Sequence, residues 1–251
     1  MSAALKRLRF DENNVPVLRP EEIDERAEYM LTIFCETCLT EPRATDLSAI
    51  IRTLMNQYGV KFDFTRDLGL TLDGRKIRGR VALKERIVWI DRSLQPNEEL
   101  CRLRFTIAHE LGHLALHRHR PIKHYDAIED TDADLRMQFD HTSGSRQIVE
   151  WQANRYASAI LMPQYTVAPA LRAFHAENNV HLNIGKVFVD NSRANRVLYA
   201  QTLGHLSIVY HVSKTVVRIR LRELGLLIDR RAARMQGLAA ELGDIWTNLG
   251  G

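Results

Sequence analysis

Residues 104–117, RFTIAHELGHLALH, decide how the chain is read. They contain the pattern H-E-x-x-H, with His109 and His113 four residues apart, about one helical turn, so that both imidazoles leave the same face. Two such rings supply two corners of a tetrahedral zinc site. Glu110 is rotated by roughly 100° from His109 and flanks the metal instead of binding it. There it can act as general base on a water whose pKa the metal lowers. The pattern therefore points to metal-assisted peptide hydrolysis, with zinc as the cofactor. Ile107, Leu111, Leu114 and Ala115 give the same helix an apolar side for packing. Gly112 costs about 1 kcal/mol in a helix interior, which predicts a close approach of another segment there.

Two residues compete for the third ligand. His119 has the spacing of the longer H-E-x-x-H-x-x-G-x-x-H pattern, but that pattern needs a glycine where this chain has Leu116, so the helix is expected to run on and carry His119 away. Glu150 is the other choice and is favoured. It opens a second strong helical segment, VEWQANRYASAILM, in which Ala153 and Ala157 allow a neighbouring helix backbone to come close. A carboxylate from that helix would complete a His2Glu set and leave the fourth position open, as catalytic zinc requires.

Outward from these segments the period of the sequence changes twice. EEIDERAEYMLTIF after Pro20 and a segment from Asp46 to Gln57 have helical spacing, the second ending near Gly59. VKFDF alternates, and IRGRVALKERIVWID reads as two short strands around a polar Lys84-Glu85-Arg86 turn. Residues 1–20 look like a flexible lead-in, and residues 121–146, rich in aspartate, read as a loop or insertion. A further helical stretch runs from Ala168 to Ala176, and another from Ala232 to Leu249. The class is α+β, with a small antiparallel sheet and a mainly helical C-terminal region.

At 251 residues, 45% hydrophobic and 26% charged, the chain has the composition of an ordinary soluble protein with room for a sizeable core. No run approaches the roughly 20 apolar residues of a membrane span. The basic start MSAALKRLRF has no apolar segment behind it, so a cytoplasmic location is expected. A net charge of +4 permits nucleic-acid binding without arguing for it. Three cysteines are too few for a disulfide framework and suit a reducing compartment. Cys35 and Cys38 form a C-x-x-C that could join Cys101 and a histidine in a second metal site, but core positions on an amphipathic helix are the favoured reading.

RFTIAHELGHLALH, EWQANRYASAILMP and VSKTVVRIRLRELGLL, taken in order, resemble the ImmA/IrrE metallo-endopeptidases of bacteria and their mobile elements. The resemblance covers roughly residues 21–228. It implies a zincin-like fold, taken as a metallopeptidase domain over 21–195, while HLSIVYHVSKTVVRIRLRELGLL has a helix, turn, helix rhythm and residues 196–251 are read as a helix-turn-helix-like region. The resemblance also implies zinc held by His109, His113 and Glu150, with Glu110 as the catalytic glutamate. The substrate class it implies is a helix-turn-helix transcriptional repressor, cleaved to derepress stress-response or mobile-element genes.

The C-terminal helices carry the main rival reading, a zinc-containing DNA-binding regulator. Lys214, Arg218, Arg220 and Arg222 could contact phosphates. Against this, Val216, Val217, Ile219 and Leu221 could pack the same helix on the peptidase core, and packing or repressor docking is favoured. The acidic residues Asp126, Glu129, Asp130, Asp132, Asp134 and Asp140 either lie near the cleft or form a solvated loop. Trp89 and Trp151 read as core or cleft wall. Tyr156, Tyr165, His175 and His205 are all candidates for stabilising an oxyanion, and the sequence does not choose among them.

Overall fold

A computed structural model describes residues 8–95, 100–118 and 144–231, together with the backbone of 128–131. His119, the rest of the acidic stretch and the expected helix beyond 231 lie outside these described residues.

The chain enters through residues 8–19, read from sequence as part of a flexible lead-in. Here they are tied down: Phe10 and Pro16 form a β-bridge, and Val15 is buried in the core. Helix α1 (Pro20–Phe34) starts on a proline with Glu21 and Glu22 in its first turn, where the helix dipole favours them. It buries Ile23, Ala27 and Leu31. A short helix α2 (Thr37–Thr40) follows at once. Cys35 and Cys38 flank that junction; Cys38 is buried in the core and Cys35 packs against it, as expected, but the two are joined in a disulfide that the sequence reading did not foresee. Their Cα atoms are 5.4 Å apart, within the span a disulfide bridges. Helix α3 (Leu47–Tyr58) is capped by Asp46, whose side chain accepts from the Ala49 N–H, and it stops at Gly59, whose φ of 64° suits glycine.

Strands β1 (Lys61–Asp63), β2 (Ile77–Ala82), β3 (Ile87–Ile90) and β4 (Ile128–Thr131) form one sheet in the order β1-β3-β2-β4. The expected β2–β3 hairpin is present, with Arg86 at positive φ in its turn. The sheet is mixed, not antiparallel throughout, because β1 runs parallel to β3. The connection 64–76 carries the chain past the place of β3 to β2, which runs opposite to β1, and the β2–β3 hairpin then brings β3 back beside β1 in the same direction. Strand β4 falls inside the segment expected to be a loop. Its sequence, IEDT, lacks strand-like alternation, and it is held as a strand by pairing with β2.

Helix α4 (Leu100–Leu116) carries the H-E-x-x-H pattern and lies between the sheet and helix α5 (Ser145–Leu161). Every residue from Phe105 to Leu114 is buried, so the helix is a central layer with no solvent face in that stretch. The close approach expected at Gly112 is present. A Cβ added there would lie 3.1 Å from both the Cα and the carbonyl oxygen of Ala153, so two backbones meet where a side chain would otherwise stand. Helix α1 packs on the far side of α5.

Helix α6 (Gln164–Glu177) leads to β5 (Val187–Val189), then helices α7 (Arg193–Tyr210) and α8 (Lys214–Glu223), then β6 (Leu227–Asp229), which pairs parallel to β5. Ser213 caps α8 by accepting from the Val216 N–H, and His211 closes α7 in the left-handed region. The helix-turn-helix rhythm read from sequence is thus realised. One of its basic residues is not available to phosphates: Arg220 is fully buried and donates to Asp24 of α1 and to the Met162 carbonyl. Lys214, Arg218 and Arg222 remain exposed. Val216, Val217 and Leu221 are buried, as the packing reading expects.

Candidate metal centre

Helix α4 presents His109, Glu110 and His113 from the middle of its buried stretch, and all three are inaccessible to solvent. Helix α5 faces them with Glu150, which sits in its second turn, since the helix starts at Ser145 rather than at the glutamate itself. The Gly112–Ala153 contact sets the spacing of the two helices and so brings side chains of α5 to those of α4. His109 Nε2 lies 2.9 Å from His113 Nε2, and Glu150 Oε2 lies 3.2 Å from the first and 3.7 Å from the second. In a tetrahedral shell with ligands about 2 Å from the ion, neighbouring ligand atoms are roughly 3.3 Å apart, so this spacing fits one small cation.

The donor set fits as well. Two imidazoles and a carboxylate suit zinc and related divalent ions. Burial pushes the Glu150 carboxyl up, but the His113 and His109 rings beside it outweigh that and hold it well below the usual carboxylate range. Among the described residues, no protein donor closes a hydrogen bond of good geometry on either Glu150 oxygen. A buried carboxylate in that position is well matched to a cation.

Glu110 is set apart from the other three by its neighbour on the sheet side. A Cβ at Gly79 of β2 would lie 2.8 Å from Thr106 Cγ2 and would overlap Glu110 Oε1 outright. Gly79 therefore makes the space in which the Glu110 carboxylate lies. The pairing of β2 with β4 shifts register between Ile77 and Gly79, so a bulge adjoins this point.

Around the histidines is a set of polar partners that the sequence reading did not select. His109 Nδ1 meets Asn154 Oδ1 at 2.9 Å, and Asn154 stands one turn beyond Glu150 on α5. His113 Nδ1 meets His117 Nδ1 at 2.9 Å. His117 Nε2 in turn lies 2.9 Å from Gln152 Oε1, and Gln152 Nε2 donates to the Pro16 carbonyl at 2.7 Å. Burial, reinforced by the adjacent His113, pushes His117 down to about 3, so the ring is neutral. The i, i+4 spacing from His113 and from Glu150 was the available signal for His117 and Asn154.

Of the four oxyanion candidates, Tyr165 is exposed, while His175 and His205 sit with Phe174 between α6 and α7. His175 Nδ1 accepts from the Gly185 N–H there. Tyr156 is buried on α5, against Gly112. Neither His175 nor His205 is among the three residues that converge, His109, His113 and Glu150. Trp89 is half-buried, with Arg66 and Arg80 over its ring, and Trp151 packs against the core. A large apolar groove on another side of α4, lined by Met30, Phe34, Leu111, Leu114 and Ala115, includes none of the converging side chains.

A buried His2Glu group between two helices, with a glutamate beside it facing a sheet, is the arrangement of a metallopeptidase. A family model described as the IrrE N-terminal-like domain, Peptidase_M78, matches residues 50–222. The chain belongs to that family and is a metallopeptidase of the IrrE/ImmA type, with the α+β fold expected from the sequence. No curated protein matches the chain. No helix among the described residues is long and apolar enough to cross a membrane.

Proposed function

We propose that the protein is a zinc-dependent endopeptidase in which His109, His113 and Glu150 hold the ion and Glu110 is the general base. The convergence of two imidazole nitrogens and a carboxylate within 4.8 Å of one another carries this reading. Three protein ligands leave a fourth position for water or substrate, the mark of a catalytic rather than a structural site. A bound zinc ion supplies Lewis-acid polarisation of the scissile carbonyl and lowers the pKa of the attacking water. Glu110 takes the proton from that water as it attacks and passes it to the amine nitrogen as the peptide C–N bond breaks. The buried setting of Glu110 against Gly79 holds its carboxylate in place for both transfers.

The proposed substrate is a helix-turn-helix transcriptional repressor, and the proposed setting is cytoplasmic derepression of stress-response or mobile-element genes. This part rests on the resemblance to ImmA/IrrE enzymes. Glu110→Gln is expected to bind one equivalent of zinc, keep the fold, and lose about 10²–10⁴-fold in turnover. The assay is incubation with helix-turn-helix proteins encoded beside the gene, read as loss of full-length repressor. Parental cleavage by the Glu110→Gln variant would sink the mechanism. The DNA-binding alternative has support in the exposed Lys214, Arg218 and Arg222. Gel shifts with and without a chelator separate the two, because binding through those residues would survive metal removal and proteolysis would not.

A further inference from the structure

We propose that the N-terminal segment sets the protonation pattern of a metal ligand through a buried relay, Pro16–Gln152–His117–His113, which makes His117 and Gln152 positioning residues for the metal. The inference rests on the metal-site reading above. It starts at Pro16, whose carbonyl can only accept a hydrogen bond. Gln152 must therefore turn its amide nitrogen to that carbonyl, at 2.7 Å, and its oxygen to His117 Nε2, at 2.9 Å. An amide oxygen also can only accept, so His117 Nε2 donates to it; two ring N–H groups cannot face each other at 2.9 Å, and with His113 binding through Nε2 it is His117 Nδ1 that offers the lone pair. His113 Nδ1 faces that lone pair at 2.9 Å and must donate to it. A neutral imidazole with its proton on Nδ1 has a bare Nε2, and His113 Nε2 is the atom that faces His109 and Glu150.

Each link is directional, and each is out of reach of solvent. Gln152 and His117 are about 1% exposed and His113 is fully buried, so water cannot repair a reversed link. The anchor is itself fixed. Asp11 accepts from the Asn13 and Val15 N–H groups, and the Asn13 side-chain amide donates to Ser145 Oγ at the start of α5. His109 reaches the same pattern by a shorter route, since its Nδ1 meets Asn154 Oδ1 directly. Partners of this kind fix the tautomer and orientation of metal-bound histidines, and losing one typically costs about 10–100-fold in metal affinity.

The test uses the full chain and zinc alone, with affinity measured by competition against a chromophoric chelator. His117→Phe, which keeps a ring but no acceptor, is expected to weaken zinc binding about 10–100-fold. Gln152→Leu is expected to weaken it in the same direction. Long-range proton–nitrogen NMR of the zinc-loaded parent should place the proton of His113 on Nδ1 and that of His117 on Nε2. A proton on His117 Nδ1, or parental affinity in both His117→Phe and Gln152→Leu, would overturn the relay while leaving the metal site intact. Lower stability of the metal-free variants with unchanged affinity would overturn it too, as that is what a purely structural role predicts. If the parent bound no zinc at all, the relay and the proposed function would fall together.

Discussion

At the scale of single residues, the placing of His109 and His113 side by side was legible because it depends on helical geometry alone. Four residues make one turn, and the turn sets the two rings side by side whatever surrounds them. Gly112 was legible as well, since a glycine inside a helix costs stability unless a close neighbour needs the space, and Ala153 is that neighbour. Gly79 was not legible. It reads as an ordinary interruption in a short strand until the distance to Glu110 is known. Its role leads to a direct prediction. Gly79→Ala would force the Glu110 carboxylate out of its place while leaving His109, His113 and Glu150 untouched. Turnover should fall by about 10²-fold, as expected for a reacting group displaced by roughly 1 Å, while zinc affinity stays near the parental value. Parental turnover in this variant would show that the carboxylate does not need that space.

At the scale of elements, helices with a strong apolar stripe or a clear cap were found from the sequence, as α3 shows with Asp46 at one end and Gly59 at the other. Strands β4, β5 and β6 were not: they have three or four residues each, and their pairing depends on partners distant in sequence. Polar anchors hidden in connections also escaped notice, and Asp91 is the clearest. It ends β3, is fully buried, and accepts from the N–H groups of Leu68 and Ser93, with Lys76 Nζ at 3.1 Å. Burial raises its pKa, but these donors prevail and lower it from 3.8 to about 2. A depressed folded-state pKa means stability that is present above the unfolded value and is lost as pH falls through the folded one. Asp91→Asn is therefore expected to cost about 2 kcal/mol near neutral pH. The gap between parent and variant should shrink as pH drops from 4 towards 2, followed by urea unfolding at each pH. A gap that is the same at every pH would show that the charge of Asp91 contributes nothing.

At the scale of the whole molecule, the question left by the sequence was whether the C-terminal helices stand free as a DNA reader or belong to the catalytic body. The pattern of α8 could not decide it, because arginines alternating with aliphatic residues suit either role. Burial separates them. Arg218 and Arg222 are exposed, whereas Arg220 donates through Nη1 to both oxygens of Asp24 at 3.1 Å and through Nε to the Met162 carbonyl. Asp24 is shared with Arg155 of α5, whose Nη2 lies at 2.9 Å. Glu223 of α8 reaches Ser158 of α5. One buried ionic cluster thus joins α1, α5 and α8, and α5 is the helix that carries Glu150. Removing one member of such a cluster leaves its partners charged and uncompensated, which costs about 3–5 kcal/mol, whereas an exposed charge far from any partner is worth about 0.5 kcal/mol or less. Arg220→Met should therefore lower the unfolding free energy by several kcal/mol, and Arg218→Ala should leave it nearly unchanged. Both are to be measured by denaturant titration at one fixed zinc concentration, since bound metal itself adds to stability. If α8 were a separable unit, Arg220→Met would melt it alone and produce an early transition ahead of the main one. Because its partners lie on α1 and α5, the expected result is a single cooperative transition shifted to lower denaturant, with the metal helix and the C-terminal helix unfolding together.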